Sequence, residues 1–172
     1  MRKVVVADTG PLIILAGISQ LSLLPDMYGS VVIPEAVYAE LRLGSSHKET
    51  ELLAQGIQQE WLKVLPVHDS QKSALQELQR IVDPGEAEAI LLAETLNCRF
   101  LLIDDRKGRI VAAKRGLTIV GVAGILLAAK QRQRIEAVCP LIREMRKIGY
   151  RLSPALCREI ARLAQEDLEF FT

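Results

Sequence analysis

The sequence predicts an α/β fold, with a central, mainly parallel sheet and helices on both of its faces. Three observations carry that expectation. Short aliphatic runs recur along the chain, as in Val4-Val5-Val6-Ala7 and Phe100-Leu101-Leu102-Ile103, uninterrupted by polar residues. Such runs mark strands buried on both faces. Helical segments separate them, which is the pattern of parallel strands joined by crossover helices. The size also fits: 172 residues, 49% hydrophobic and 25% charged, suffice for one core without staples. Aromatics make up only 4%, so Leu, Ile, Val and Ala must fill that core.

Taken in order, Lys3 to Ala7 reads as a strand stopped by the turn signal Asp8-Thr9-Gly10-Pro11. Leu12 to Leu24 reads as a helix with a break near Gly17 or Ser19. Ser30 to Ile33 is a second strand, and Pro34 opens a helix over Glu35 to Leu43. Glu49 to Gln55 is helical, with Gly56 as its expected stop. Leu62 to Val67 is a strand and Ser70 to Ile81 an amphipathic helix. Asp83-Pro84-Gly85-Glu86 opens a helix that runs to Leu96. Phe100 to Ile103 is a strand, Gly108 to Arg115 a helix, and Leu117 to Val120 a short strand. Helices over Val122 to Gln131, Ile135 to Ile148 and Pro154 to Leu168 complete the chain. No repeat or linker divides it. A single domain over 1–172 is expected, with a core over about 1–125 and a helical extension over about 133–169.

Several function classes drop out. Cys98, Cys139 and Cys157 form no CxxC pair, so neither a disulfide framework nor a zinc site is expected. His47 and His68 lie in loop-like stretches and receive no role. Phosphate-loop, dinucleotide and GxSxG signatures are absent. The first apolar run is broken at Asp8, and the run Gly116 to Ala129 is too short to span a bilayer. A cytoplasmic protein with no membrane contact is expected. Charge is unevenly placed. Residues 1–98 hold 7 basic and 13 acidic side chains, a net of −6; residues 99–162 hold 15 basic and 5 acidic, a net of +10. Acids in the first part and bases in the second suit a phosphodiester substrate.

The acids stand where such a sheet binds its ligands, beyond the carboxyl ends of the strands. Asp8 directly follows the first strand, and Asp104 and Asp105 follow Phe100 to Ile103. A carboxylate buried there must be hydrogen-bonded or metal-bound. Capping of the following helix is the alternative for an isolated Asp8, and the pattern of acids as a whole weighs against it. Glu40 borders the apolar face of its helix, next to Leu41 and one turn after Val37. Glu86 is placed for a capping box with Asp83, yet it shares a helix face with Ala89, Ile90 and Ala93. Glu88 points about 200° away. Clustered carboxylates suit hard divalent cations, and through them phosphodiester cleavage.

Four segments together resemble the PIN-domain family: Val4 to Ile13, Ile33 to Leu41, Gly85-Glu86-Ala87-Glu88-Ala89-Ile90, and Leu101-Leu102-Ile103-Asp104-Asp105. The Gly-Glu-Ala-Glu-Ala-Ile form is similar to a less characterised prokaryotic branch of toxin-like, VapC-like ribonucleases. The resemblance implies a PIN-like three-layer sandwich and an endoribonuclease dependent on Mg²⁺ or Mn²⁺. It further implies a toxin acting on RNA, with a cognate antitoxin as partner and a homodimer as a further association. The alternative is a degenerate PIN domain that serves as a binding or regulatory module. By position, the resemblance makes Asp8, Glu40 and Glu86 the first three metal-holding, catalytic acids. Spacing from Glu86 favours Asp104 as the fourth; the strand-end pattern favours Asp105. Ile103 stands where the family commonly has a polar residue. Thr9 can offer a hydroxyl to phosphate, and Arg106, Lys107 and Arg109 can meet the RNA backbone. Leu12 to Leu24 and Glu49 to Leu65 are implied as partner surfaces, although Leu12, Ile13 and Leu15 read as core.

Overall fold

Every apolar run expected as a strand is one. In the computed structural model, which describes residues 3–167, these are β1 (Val5–Ala7), β2 (Val31–Pro34), β3 (Leu62–Leu65), β4 (Phe100–Leu102) and β5 (Ile119–Val120). They form one sheet in the order β3-β2-β1-β4-β5, and every pairing is parallel. Ten helices flank it among the described residues: α1 (Thr9–Gly17), α2 (Leu23–Tyr28), α3 (Glu35–Leu41), α4 (Lys48–Gln58), α5 (Lys72–Leu78), α6 (Pro84–Thr95), α7 (Arg106–Lys114), α8 (Val122–Gln131), α9 (Cys139–Lys147) and α10 (Pro154–Ala164).

Successive strand residues point to opposite faces, so the sheet serves two cores. Val5, Ala7, Ile33 and Leu102 pack with Leu12, Leu24, Ile125, Ile142 and Ile160 on one side. Val6, Val32, Leu101 and Ile103 pack with Leu78, Ile90 and Ala112 on the other. The result is a three-layer α/β sandwich. Fully burying one of these aliphatic side chains contributes about 1.5–3 kcal/mol, which makes the two cores the main source of stability.

The extension beyond α8 belongs to the first core, through Val138, Ile142, Met145, Cys157, Ile160 and Ala164. Glu166 ties it down. Its carboxylate accepts bonds from Lys130 Nζ at 2.8 Å and from the N–H groups of Val138 and Cys139 at 2.6 and 2.8 Å. Burial alone would raise its pKa, but these donors pull it down to about 2. No described helix is long and apolar enough to cross a membrane.

Several boundaries differ from expectation, each for a local reason. The helix over Leu12 to Leu24 is two helices: α1 begins at Thr9, and the chain reverses at Ser19, which is left-handed at φ 58°. Gly56 does not stop α4, which continues to Gln58. It is there because a Cβ would lie 2.6 Å from the Trp61 ring. The helix over Ser70 to Ile81 becomes a 3-10 turn capped by His68 and then α5, ending at Leu78. β3 stops before Pro66, which has no N–H to extend the ladder. α9 starts at Cys139 rather than Ile135. α10 ends at Ala164, where Gln165 turns left-handed, and Leu168 lies outside the described residues.

Candidate active site

Asp8 sits at the carboxyl end of β1, and its N–H donates to the Leu102 carbonyl at 2.9 Å, which pins it between β1 and β4. It is only 7% exposed. It occupies the cap position of α1, yet its side chain makes no capping bond, and the Thr9 N–H is the backbone donor that acts on it. Capping therefore does not account for the residue. Glu86, at the start of α6, is 4% exposed. Its capping box is complete: its N–H donates to Asp83 Oδ1 at 2.8 Å, and Asp83 N–H donates to its Oε2 at 3.3 Å. Its other carboxylate oxygen lies over Gly108, where a Cβ would come within 3.2 Å. A cap and a place in the acid cluster thus coexist in one side chain.

Burial raises the Asp8 pKa to about 7; the Thr9 N–H opposes this, and Asp83, Glu40 and Asp105 push it further up. Burial likewise raises Glu86 to about 7, reinforced by Asp83, Asp105 and Asp8 and opposed by the Asp83 N–H. Five acids therefore share one electrostatic field at the sheet's edge. Burial and the neighbouring carboxylates together keep Asp8 and Glu86 well above the ordinary carboxylate range.

Glu40 is exposed, on α3, and its Oε2 accepts the Thr9 hydroxyl at 2.5 Å. Gly85 makes room for it: a Cβ there would meet Glu40 Oε1 at 2.5 Å. Glu88 does point elsewhere, and accepts the Ala36 N–H at 2.9 Å. It fastens the first turn of α3 to α6, and so helps set where Glu40 stands.

The paired aspartates part company. Asp105 caps α7, accepting the Lys107 and Gly108 N–H groups at 2.8 and 3.1 Å, and acts on both Asp8 and Glu86. That cap is why α7 begins at Arg106 and not at Gly108. Asp104 turns to α8, where the Val122 N–H approaches its two oxygens at 3.3 and 3.4 Å. Burial raises the Asp104 pKa, and a Tyr150 hydrogen bond, that N–H and Arg109 oppose the rise. Of the two, Asp105 is the one beside the other acids. Ile103, fully buried, belongs to the second core, which explains the apolar residue before the pair.

The basic residues also separate. Arg106 and Lys107 are exposed. Arg109 is half-buried, and its Nη1 donates to the Ile103 carbonyl at 2.9 Å. Asp104, Arg106, Arg109, Ile110, Ala113 and Ile119 line a groove of about 570 Å³ along α7. Asp83, expected only as a cap, is a charged neighbour of both buried acids. Tyr150 had no sequence signal, since nothing near it in the chain marks it as an Asp104 partner.

Whether a metal fits can be judged from the donors. Asp8, Glu40, Glu86, Asp105 and the Thr9 hydroxyl are all oxygen ligands, which suit a hard divalent cation. The side chains missing at Gly85 and Gly108 leave space beside two of these carboxylates. As the side chains stand, no three described His, Cys, Asp or Glu residues form a group that could hold an ion. The donor chemistry fits a metal; a tight ligand set is not preassembled.

The parallel sheet in this order, with acids gathered at its carboxyl edge, forms an α/β sandwich with an acidic site. The family model described as a PIN domain matches residues 4–166, and the chain belongs to that family. PIN domains are generally nucleases, and those nucleases generally use divalent metals. No curated protein matches the chain.

Proposed function

We propose that this protein is a Mg²⁺- or Mn²⁺-dependent endoribonuclease, the cytoplasmic toxin of a toxin–antitoxin pair. The observation that carries the reading is the buried pair Asp8 and Glu86, raised to about 7 and pushed further by Asp105. Buried carboxyls in a field of other carboxyls are costly, and a divalent cation relieves them all at once. When bound, such an ion supplies Lewis-acid activation of water and neutralises charge on the phosphate. Asp8, Glu40, Glu86 and Asp105 are the residues to hold it. The Thr9 hydroxyl orients Glu40 through its 2.5 Å bond. Arg106 and Lys107, exposed at the start of α7, meet the RNA backbone. A cognate antitoxin and a second copy of the chain are the partners this reading proposes.

Purified protein with Mn²⁺ or Mg²⁺ is expected to cleave RNA, and Asp8→Asn to abolish cleavage. Equal residual activity in wild type and variant sinks the proposal, because contamination then explains it. A second reading, a PIN domain that binds RNA or protein without cutting, is favoured by the lack of a preassembled ligand trio among the described residues. Calorimetry separates the two: no heat of binding with millimolar Mn²⁺ at neutral pH selects the non-cutting module.

A further inference from the structure

We infer that Glu88 is a positioning residue for the candidate site: reaching across from α6, it caps α3 and locks the helix that carries Glu40 to the helix that carries Glu86. The use made of Glu40 rests on the nuclease reading; the cap itself does not.

α3 is short and lightly anchored. Its seven residues, Glu35–Leu41, bury Val37 and Leu41 and no others. A helix of this length is marginal alone in water, so its tertiary contacts decide where it lies. Its first N–H groups have no partner within the helix. The residue at its cap position is Pro34, which has no side-chain acceptor, and no cap bond is made there. Glu88 supplies what α3 lacks. Its Oε2 accepts the Ala36 N–H at 2.9 Å, from 52 residues along the chain. A carboxylate acceptor makes that bond stronger than a neutral one, and it faces the positive end of the α3 dipole.

The start of α6 carries three residues with three separate tasks. Gly85 lies against the Glu40 carboxylate, where a Cβ would come within 2.5 Å of Oε1 and 2.9 Å of Oε2. Glu86, 4% exposed, turns into the acid cluster. Glu88, about 200° round the helix from Glu86, turns to α3. α3 therefore meets α6 at both of its ends, through Ala36 at the first turn and Glu40 at the last. Glu40 is exposed, so burial does not hold it. Its bond from the Thr9 hydroxyl, at 2.5 Å, forms only while α3 keeps it within reach. One helix thus sets the places of two acids, Glu86 directly and Glu40 through Glu88. Groups that orient metal-holding residues typically change metal affinity 10–100-fold when removed.

Glu88→Met keeps the length and the helix propensity of the side chain and deletes the carboxylate acceptor. Glu88→Gln loses the same charge and keeps an acceptor oxygen. Two measurements on the whole protein test the inference. Without metal, amide hydrogen exchange at Ala36 and along α3 to Glu40 should speed up about tenfold in Glu88→Met, with β1 and β4 amides unchanged. With metal, the calorimetric Mn²⁺ dissociation constant of Glu88→Met should rise about tenfold. Glu88→Gln should stay within about threefold of wild type in both. Unchanged exchange at Ala36 in Glu88→Met overturns the cap. Mn²⁺ affinity that is unchanged in Glu88→Met, or equally weakened in both variants, overturns the positioning role, because charge loss alone is common to the two. Wild-type protein that binds no Mn²⁺ defeats the nuclease reading instead, and the exchange arm still decides whether Glu88 fastens α3.

Discussion

Replacing Asp8 by Asn should stabilise the protein above neutral pH even as it ends the proposed chemistry. The Asp8 carboxyl has an ordinary pKa of 3.8 and here lies at about 7. That rise corresponds to about 4 kcal/mol of penalty on the ionised form. The sign follows from proton binding. Below about pH 4 the group is protonated whether the chain is folded or unfolded, and burial costs nothing extra. Between about pH 4 and 7 the unfolded chain releases the proton and the folded chain keeps it, so stability falls as pH rises. Above about 7 the whole penalty is present. Glu86, raised from 4.5 to about 7, acts in the same direction.

Asn is nearly isosteric, carries no charge and can still accept the Thr9 N–H. Asp8→Asn should therefore raise the unfolding free energy at pH 8 by about 2–4 kcal/mol and leave it within about 0.5 kcal/mol at pH 4. At ~2–4 °C per kcal/mol for a chain of this size, the gain in Tm at pH 8 is about 4–16 °C. The assay is thermal and urea denaturation of both proteins at the two pH values, with chelator present. Adding Mn²⁺ should close the gap by stabilising only the wild type. A variant no more stable than wild type at pH 8 refutes the argument, because a compensated Asp8 would have no penalty to lose.

Three further outcomes follow from the same geometry. Gly85→Ala places a methyl group against the Glu40 carboxylate, the far end of a flexible side chain; unfolding free energy should change by less than ~1 kcal/mol, while RNA cleavage drops at least tenfold. Glu166→Ala leaves the Val138 and Cys139 N–H groups unpaired and Lys130 with only the Ala164 carbonyl in place of a carboxylate, and should cost about 3 kcal/mol at pH 7 in urea denaturation. Because the Glu166 pKa is depressed to about 2, its contribution is present above the ordinary 4.5 and is lost as pH falls through about 2, where the two proteins should converge. Replacing both Arg106 and Lys107 with Ala should weaken RNA binding and flatten its dependence on salt, with Tm unchanged.

The five strands and the two-sided core were legible because an uninterrupted aliphatic run has few alternatives to burial between helix layers. The place of Asp8 was legible for the same reason: an acid at the end of such a run is pinned by the strand before it. Glu86 could be read as a cap, because a capping box is local in sequence, and as core-facing, because helical periodicity put it beside Ala89 and Ile90. Gly56 misled, since a glycine that ends a helix and one that admits a ring look alike until Trp61 is in view. The bond from Arg109 to the Ile103 carbonyl was not legible, because it spans a turn whose shape only the fold sets.

The sequence by itself determined which residues are strands, which acids stand at their ends and that oxygen donors dominate, because these depend on neighbours in the chain. Tertiary structure decided what depends on distant ones. It turned Asp105 toward Asp8 and Glu86 and gave Asp104 to α8. It also brought Glu40 to Thr9 across the gap that Gly85 leaves open. The choice between two adjacent aspartates rests on partners far along the chain, and no local pattern around residues 104 and 105 records them.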